Sequence, residues 1–291
     1  MEKPFGGRVA LVTGAGRGLG RAYAELLAWR GARVVVNDLD EGEDSPAQET
    51  VQAIRAKAGE AIAIPGSITA PGMPAALVER ALEAFGRIDI LINNAGFLRD
   101  RSFRSMTLED LDSVIDVHLR AAAHITHAVW PHLYAQGYGR ILFTTSTSGL
   151  YGMHGQANYD AAKLGLIGLQ NALKLEGRSR NILVNSIAPL AATRLADAAF
   201  PPELQQRMGL HWVAEVALAL VAEPCSHSGL VLEVGGNHLA RARIVENDGV
   251  RVAEPTPESA MRAIAEAASG GAERGFDSAP EAVAKILGFG S

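Results

Sequence analysis

Tyr159 and Lys163 lie four residues apart in a run of helical spacing, so their side chains fall on one face of one helix. A phenol with its ordinary pKa of ~10 is a poor base at neutral pH, and a neighbouring ammonium favours its ionised form. The pair therefore suits removal of a proton from an alcohol, or its return to a ketone oxygen, through an ionisation well below the free tyrosine value. Ser146 stands thirteen residues before Tyr159, at the end of a strand-like run, where its hydroxyl can orient the same oxygen. Tyr-x-x-x-Lys alone arises by chance on many helices. Its weight comes from what accompanies it.

Thr13-Gly14-Ala15-Gly16-Arg17-Gly18-Leu19-Gly20 follows the first apolar run and opens a helical pattern. Glycines at such a junction let backbone N–H groups approach a dinucleotide pyrophosphate. The spacing is Thr-Gly-x-x-x-Gly-x-Gly through Gly14, Gly18 and Gly20, because Leu19 stands where Gly-x-Gly-x-x-Gly needs its third glycine. Asp38 closes the second strand-like run, 24 residues after Gly14. Its carboxylate can accept hydrogen bonds from both adenine-ribose hydroxyls and repel a 2′-phosphate, with Asn37 assisting, whereas Arg17 could hold that phosphate. Repulsion inside a closed site is harder to relieve than an optional attraction, so NAD is expected over NADP.

These residues need a scaffold that brings them together. Apolar runs at Arg8–Thr13, Arg33–Asn37, Ala61–Pro65, Ile88–Asn93, Arg140–Thr145, Ile182–Ile187 and Leu230–Val234 alternate with helical patterns, among them Gly18–Arg30, Pro46–Ala58, Leu108–Tyr134 and Asn158–Glu176. That rhythm predicts an α/β fold, a parallel sheet with helices on both faces. After Gly236 the composition turns to Asn247-Asp248-Gly249, Pro255, Pro257 and Ser269-Gly270-Gly271. The chain is accordingly divided into a dinucleotide-binding and catalytic domain over 1–240 and a C-terminal extension over 241–291. The extension is too small for a good core and is expected to pack on the main domain.

Composition narrows the classes. Of 291 residues 48% are apolar and 20% charged, which allows a packed core, and the net charge of −5 supplies no drive toward nucleic acid. Cys225 is alone, so no intrachain disulfide forms. His124 and His127 imitate half a metal site but have no companions, so no metal is expected. No apolar run approaches the ~20 residues of a membrane span. The glycine loop begins where a signal core would sit, and the chain ends Gly288-Phe289-Gly290-Ser291 without a peroxisomal address, so a cytoplasmic enzyme is expected.

Thr13-Gly-x-x-x-Gly18-x-Gly20, Asn93-Asn94-Ala95-Gly96, Ser146 and Tyr159-x-x-x-Lys163 together resemble the short-chain dehydrogenase/reductase family over roughly residues 5–240. The resemblance implies a seven-stranded Rossmann-type, doubly wound sheet. Asn94, Ala95 and Gly96 would support the cofactor side, Ser67 and Ile68 would flank adenine, and Pro189 and Thr193 would contact the nicotinamide carboxamide. Lys163 would also bond the nicotinamide ribose. A narrower resemblance, to the (3R)-hydroxyacyl-CoA dehydrogenase part of peroxisomal multifunctional enzyme type two, rests on five stretches. They are Val35-Val36-Asn37-Asp38, Ala95 through Phe103, Tyr138-Gly139-Arg140-Ile141, Tyr151 through Tyr159, and Glu233-Val234-Gly235.

The chain departs from the general family pattern at three places. His118 stands where many members have a catalytic asparagine, Ser67-Ile68 replaces Asp-Val, and Leu190 replaces a glycine. His118 is expected to keep the asparagine's role through its main chain, with a structural imidazole. Gly165 and Gly168 are expected to permit close helix packing, as in the dimers and tetramers of the family. Leu190–Trp212 is expected to form an apolar lid. The expected function is reversible oxidation of a secondary alcohol, possible substrates being a (3R)-3-hydroxyacyl-CoA or a hydroxysteroid. Alternatives are an NADP-dependent keto reductase and a dinucleotide-sensing protein without turnover.

Overall fold

A computed structural model describes residues 3–40, 42, 44–192 and 208–287. Its main sheet runs in the order β3-β2-β1-β4-β5-β6-β7-β8. The strands are β1 (Val9–Val12), β2 (Arg33–Val36), β3 (Glu60–Ala63), β4 (Ile90–Asn93), β5 (Gly139–Thr144), β6 (Ile182–Pro189), β7 (Val231–Gly235) and β8 (His238–Ala242). Every pairing from β3 across to β7 is parallel.

Alternation along each strand divides the core in two. Ala10, Val12, Val34, Val36, Ile90 and Ile92 face one layer, packed with Tyr23 and Leu27 of α1 (Gly18–Trp29), Val51 and Ile54 of α2 (Pro46–Ala56) and Val213 and Ala217 of the later helix Leu210–Val221. Leu11, Val35 and Leu91 face the other, packed with Leu77 and Ala81 of α3 (Met73–Phe85), Ile125 and Val129 of α5 (Ala122–Gln136) and Leu166 of α7 (Ala157–Glu176). Burial on both faces explains why these strands read as continuous apolar runs.

One expectation is corrected: the sheet has eight strands, not seven. Gly236 and Asn237, both at positive φ, form a two-residue turn after β7, and so short a turn returns the chain antiparallel as β8. The helical segment expected over Leu108–Tyr134 is present and unbroken from Leu108 to Gln136, but it is not α-helical throughout. It starts as α4 (Leu108–Ile115), capped by the Thr107 hydroxyl accepting from Asp110 N–H, widens to a π-helical turn over Asp116–Ala121, and resumes as α5. Hydrophobic periodicity does not reveal a π turn, because one inserted residue leaves an apolar stripe on either side.

Gly165 of α7 lets that turn come close, since a Cβ there would meet a Leu119 methyl at 2.9 Å, whereas Gly168 has open space around it. Of the expected lid, residues 193–207, with Thr193, lie outside the described residues, and Leu210–Trp212 open helix α8 (Leu210–Val221). By its internal contacts the chain separates into units of 1–241 and 242–291. The second holds helices α9 (Pro257–Ala268) and α10 (Ala279–Leu287), with α9 started by a capping box between Thr256 and Ser259.

Candidate active site

In a parallel sheet, ligands sit at the carboxyl ends of the strands where the strand order reverses, here between β1 and β4. The Thr13–Gly20 loop leaves β1 at that point. Gly14 has φ +61° and Gly18 φ +54°, conformations that favour glycine. A Cβ on Gly14 would lie 2.6 Å from Ala95 Cα, and one on Gly20 would run into the Gly14 carbonyl and the Asn94 amide. Gly16 was not among the expected ligands, yet its Cβ would press on Pro46 and on the Asp38 carboxylate.

Thr13 ties the loop to the next strand end, its Oγ1 accepting from Asn94 N–H at 3.1 Å and Ala95 N–H at 3.2 Å. Asn94 Nδ2 donates to the carbonyls of Thr13 and Gly14. Helix α1 has no side-chain cap, so its first N–H groups, at Gly18, Leu19 and Gly20, have no partner within the helix. Leu19 itself is buried in the core, and only its backbone can serve a phosphate. The cradle is shaped for a pyrophosphate, and these residues fit a dinucleotide.

Asp38 follows β2 at the same edge. Its carboxylate accepts from Gly16 N–H and Leu39 N–H, each at 2.8 Å, which fixes it beside the loop. Buried Asn37 donates to the carbonyls of Ile64 and Gly66, locking the β2 end to the segment carrying Ser67 and Ile68. Arg17 is exposed and paired with Asp40 at 3.0 Å. Pro189 ends β6, and the following Leu190 N–H donates to Val234 O.

Ser146, Tyr159 and Lys163 come together at the ends of β5 and α7. Ser146 follows β5 and caps the short helix α6 (Thr147–Tyr151), its Oγ accepting from Ser148 N–H at 3.2 Å and lying 2.9 Å from Ser148 Oγ. Gly149 lets α6 press on α7, because a Cβ there would be 2.6 Å from Lys163 Cβ. Lys163 is buried, donates from Nζ to Thr144 O, and lies 5.3 Å from the Tyr159 ring centroid. Asn158 Oδ1 accepts the Tyr159 N–H at 2.8 Å and sets the start of α7.

The protonation states differ from the sequence expectation. Loss of hydration pushes the Tyr159 phenol up to about 12, an effect only partly offset by the Ser146 hydroxyl, while the Asp160 and Asp100 carboxylates raise it further. Burial brings Lys163 down to about 7. Desolvation is the largest cause at both groups.

His118 sits in the π turn, buried, with its ring edge-on to Tyr159 at 4.9 Å between centroids. Its Nε2 lies 2.8 Å from Phe97 O and 3.1 Å from Phe97 N. Ser148 and Thr144 are further site residues that the motif spacing did not single out. Among the described residues no cluster of three or more metal-binding side chains occurs, and no helix is long and apolar enough to cross a membrane.

The sequence matches the short chain dehydrogenase family over residues 8–201. It is 49% identical to mouse (Mus musculus) peroxisomal multifunctional enzyme type 2 over 82% of this chain and 33% of that protein. It is 44% identical to a short-chain type dehydrogenase/reductase of Mycobacterium tuberculosis over 85% of this chain and 89% of that one. The full-length peroxisomal multifunctional enzyme type 2 of Drosophila melanogaster superposes with a TM-score of 0.83 at 36% identity, over 97% of this chain and 49% of that one. The chain thus spans a third to a half of these multifunctional enzymes.

Proposed function

The chain belongs to the short chain dehydrogenase family, and from that premise we propose that it is an NAD-dependent enzyme interconverting a (3R)-3-hydroxyacyl-CoA and its 3-oxo form. The convergence of Ser146, Tyr159 and Lys163 beside the glycine cradle carries this reading. The narrower resemblance supports the acyl-CoA substrate. A turnover screen of medium and long (3R)-3-hydroxyacyl-CoAs beside hydroxysteroids, with NAD and NADP, tests it. Turnover of steroids alone would refute the substrate, and no turnover of any secondary alcohol would refute the activity.

A nicotinamide ring bound at this edge would supply the hydride acceptor for oxidation. Tyr159 Oη takes the hydroxyl proton while Ser146 Oγ holds the reacting oxygen against it. Lys163, fixed by Thr144 O and lying 5.3 Å from the Tyr159 ring centroid, would bond the nicotinamide ribose. Oxidation requires the phenolate and reduction the phenol, and desolvation holds Tyr159 protonated. Oxidation rates should therefore rise with pH between about 6 and 10, while the phenol-dependent reduction rates stay nearly level across that range. Initial rates in both directions check this, and an oxidation rate that falls with pH would assign the base elsewhere.

Cofactor choice follows from the fixed Asp38 carboxylate and from Arg17 being engaged by Asp40. NAD should bind more tightly than NADP, and Asp38→Ala should narrow the gap by about tenfold or more, as a lost charge repulsion in a closed site implies. Fluorescence titration with both dinucleotides measures it. A wild-type preference for NADP would overturn the assignment.

A further inference from the structure

His118 has more contacts than a residue that serves only through its main chain requires. Its Nε2 meets the backbone of Phe97, its ring edge abuts Tyr159, and the Gly96 backbone lies so close that a Cβ on Gly96 would run into the imidazole. The second ring nitrogen, Nδ1, is buried with no protein hydrogen-bond partner among the described residues. The ring is thus wedged between the proton-transferring phenol and the Gly96–Phe97 turn that follows β4.

We propose that His118 is a positioning residue: a neutral imidazole, protonated on Nε2, that fixes the Tyr159 phenol and the Gly96–Phe97 turn relative to each other. This rests on the reading of the site as a dehydrogenase centre. The Phe97 carbonyl, 2.8 Å from Nε2, calls for a proton there, and the Phe97 N–H, directed at the same nitrogen at 3.1 Å, for a bare one; the shorter contact puts the proton on Nε2 and leaves Nδ1 bare. Burial and the neighbouring Lys163 both disfavour imidazolium, in agreement with that state.

The bond to Phe97 O stops the ring from turning, and the fixed ring edge limits the tilt of Tyr159. Phe97 in turn lies under the Arg99 guanidinium, 5.4 Å from its ring centroid. The brace therefore links the base to the outer end of the turn.

Three variants and one spectrum test the role. His118→Phe keeps a ring against Tyr159 but loses the bond to Phe97. His118→Gln can restore a donor to the Phe97 carbonyl. His118→Ala removes the wedge. Positional error at a reacting centre can cost about a hundredfold, so kcat should fall by about 10- to 100-fold in His118→Phe and His118→Ala while the alcohol KM changes little. His118→Gln should recover most of the loss. Melting curves confirm folding. If His118→Phe does not fold, the ratio of Gln to Ala decides the matter.

Histidine-labelled protein without cofactor gives a readout independent of turnover. Long-range ¹H–¹⁵N spectra should show one histidine neutral with its proton on Nε2 from about pH 5.5 to 8.5, and that signal should vanish in His118→Gln. A wild-type kcat in folded His118→Phe, a Gln variant no better than Ala, or an Nδ1-protonated or charged ring near neutral pH would each overturn the proposal. A wild-type protein that turns over no alcohol would refute the proposed function instead, and the spectrum would still judge the brace.

Discussion

Tyr159→Phe leaves the fold and the dinucleotide cradle in place and removes turnover. The substitution deletes only the phenolic oxygen. The ring that meets His118 edge-on at 4.9 Å remains, as does the backbone N–H held by Asn158 Oδ1. None of the contacts that shape the loop at Gly14, Gly16 and Gly20 involves Tyr159. General acid–base assistance contributes ~10²–10⁴-fold, so turnover should fall by at least that range. Dinucleotide affinity, measured by fluorescence titration, should stay within a few-fold of wild type. Retention of most of the wild-type rate on every active substrate would exclude Tyr159 as the proton carrier. Loss of dinucleotide binding in step with turnover would mean that the phenol serves the cradle rather than the chemistry.

The cradle and the Ser146–Tyr159–Lys163 set were legible in the sequence because each depends on short-range spacing. Glycines between a strand and a helix, and two side chains one helical turn apart, need no knowledge of distant contacts. What stayed hidden depends on packing between segments. Gly16 reads as an ordinary loop glycine until Pro46 and the Asp38 carboxylate are seen against it. Ser148 gains its place beside Ser146 only because Ser146 caps α6, and α6 is too short to show a period. The ion pair of Arg17 with Asp40, which bears on its rivalry with Asp38 for the adenine ribose, is visible only in three dimensions. The π turn at Asp116–Ala121, which brings His118 against Tyr159, left no mark on the hydrophobic pattern.

The direction of the shifts at Tyr159 and Lys163 was not legible for a related reason. Spacing shows that two groups meet, but the sign of their pKa shifts depends on how much water both lose. Lys163 has only 3% of its surface exposed, and the structure lowers its pKa to about 7, against the ordinary value of ~10.4 that it keeps in the unfolded chain. Between those values the unfolded chain binds more protons than the folded one, so stability rises with pH across that window. Below about 7 both states are protonated, and the fold bears the whole cost of burying the ammonium.

Lys163→Met removes that cost while keeping an unbranched side chain of similar length. It also leaves the Thr144 carbonyl without its Nζ partner, a loss of about 1–3 kcal/mol. Each pKa unit corresponds to about 1.4 kcal/mol, so at pH 6.5 relief of the buried charge outweighs the lost bond. Lys163→Met should therefore be inactive yet more stable than wild type by a few kcal/mol at pH 6.5, with the advantage shrinking or reversing by about pH 10. Urea unfolding of both proteins at the two pH values measures the difference. A variant less stable than wild type at pH 6.5, or one whose relative stability grows with pH, would show that the Lys163 charge is compensated within the fold. In that case the ammonium would persist through neutral pH, and attraction between it and the phenolate would again govern the proton affinity of Tyr159.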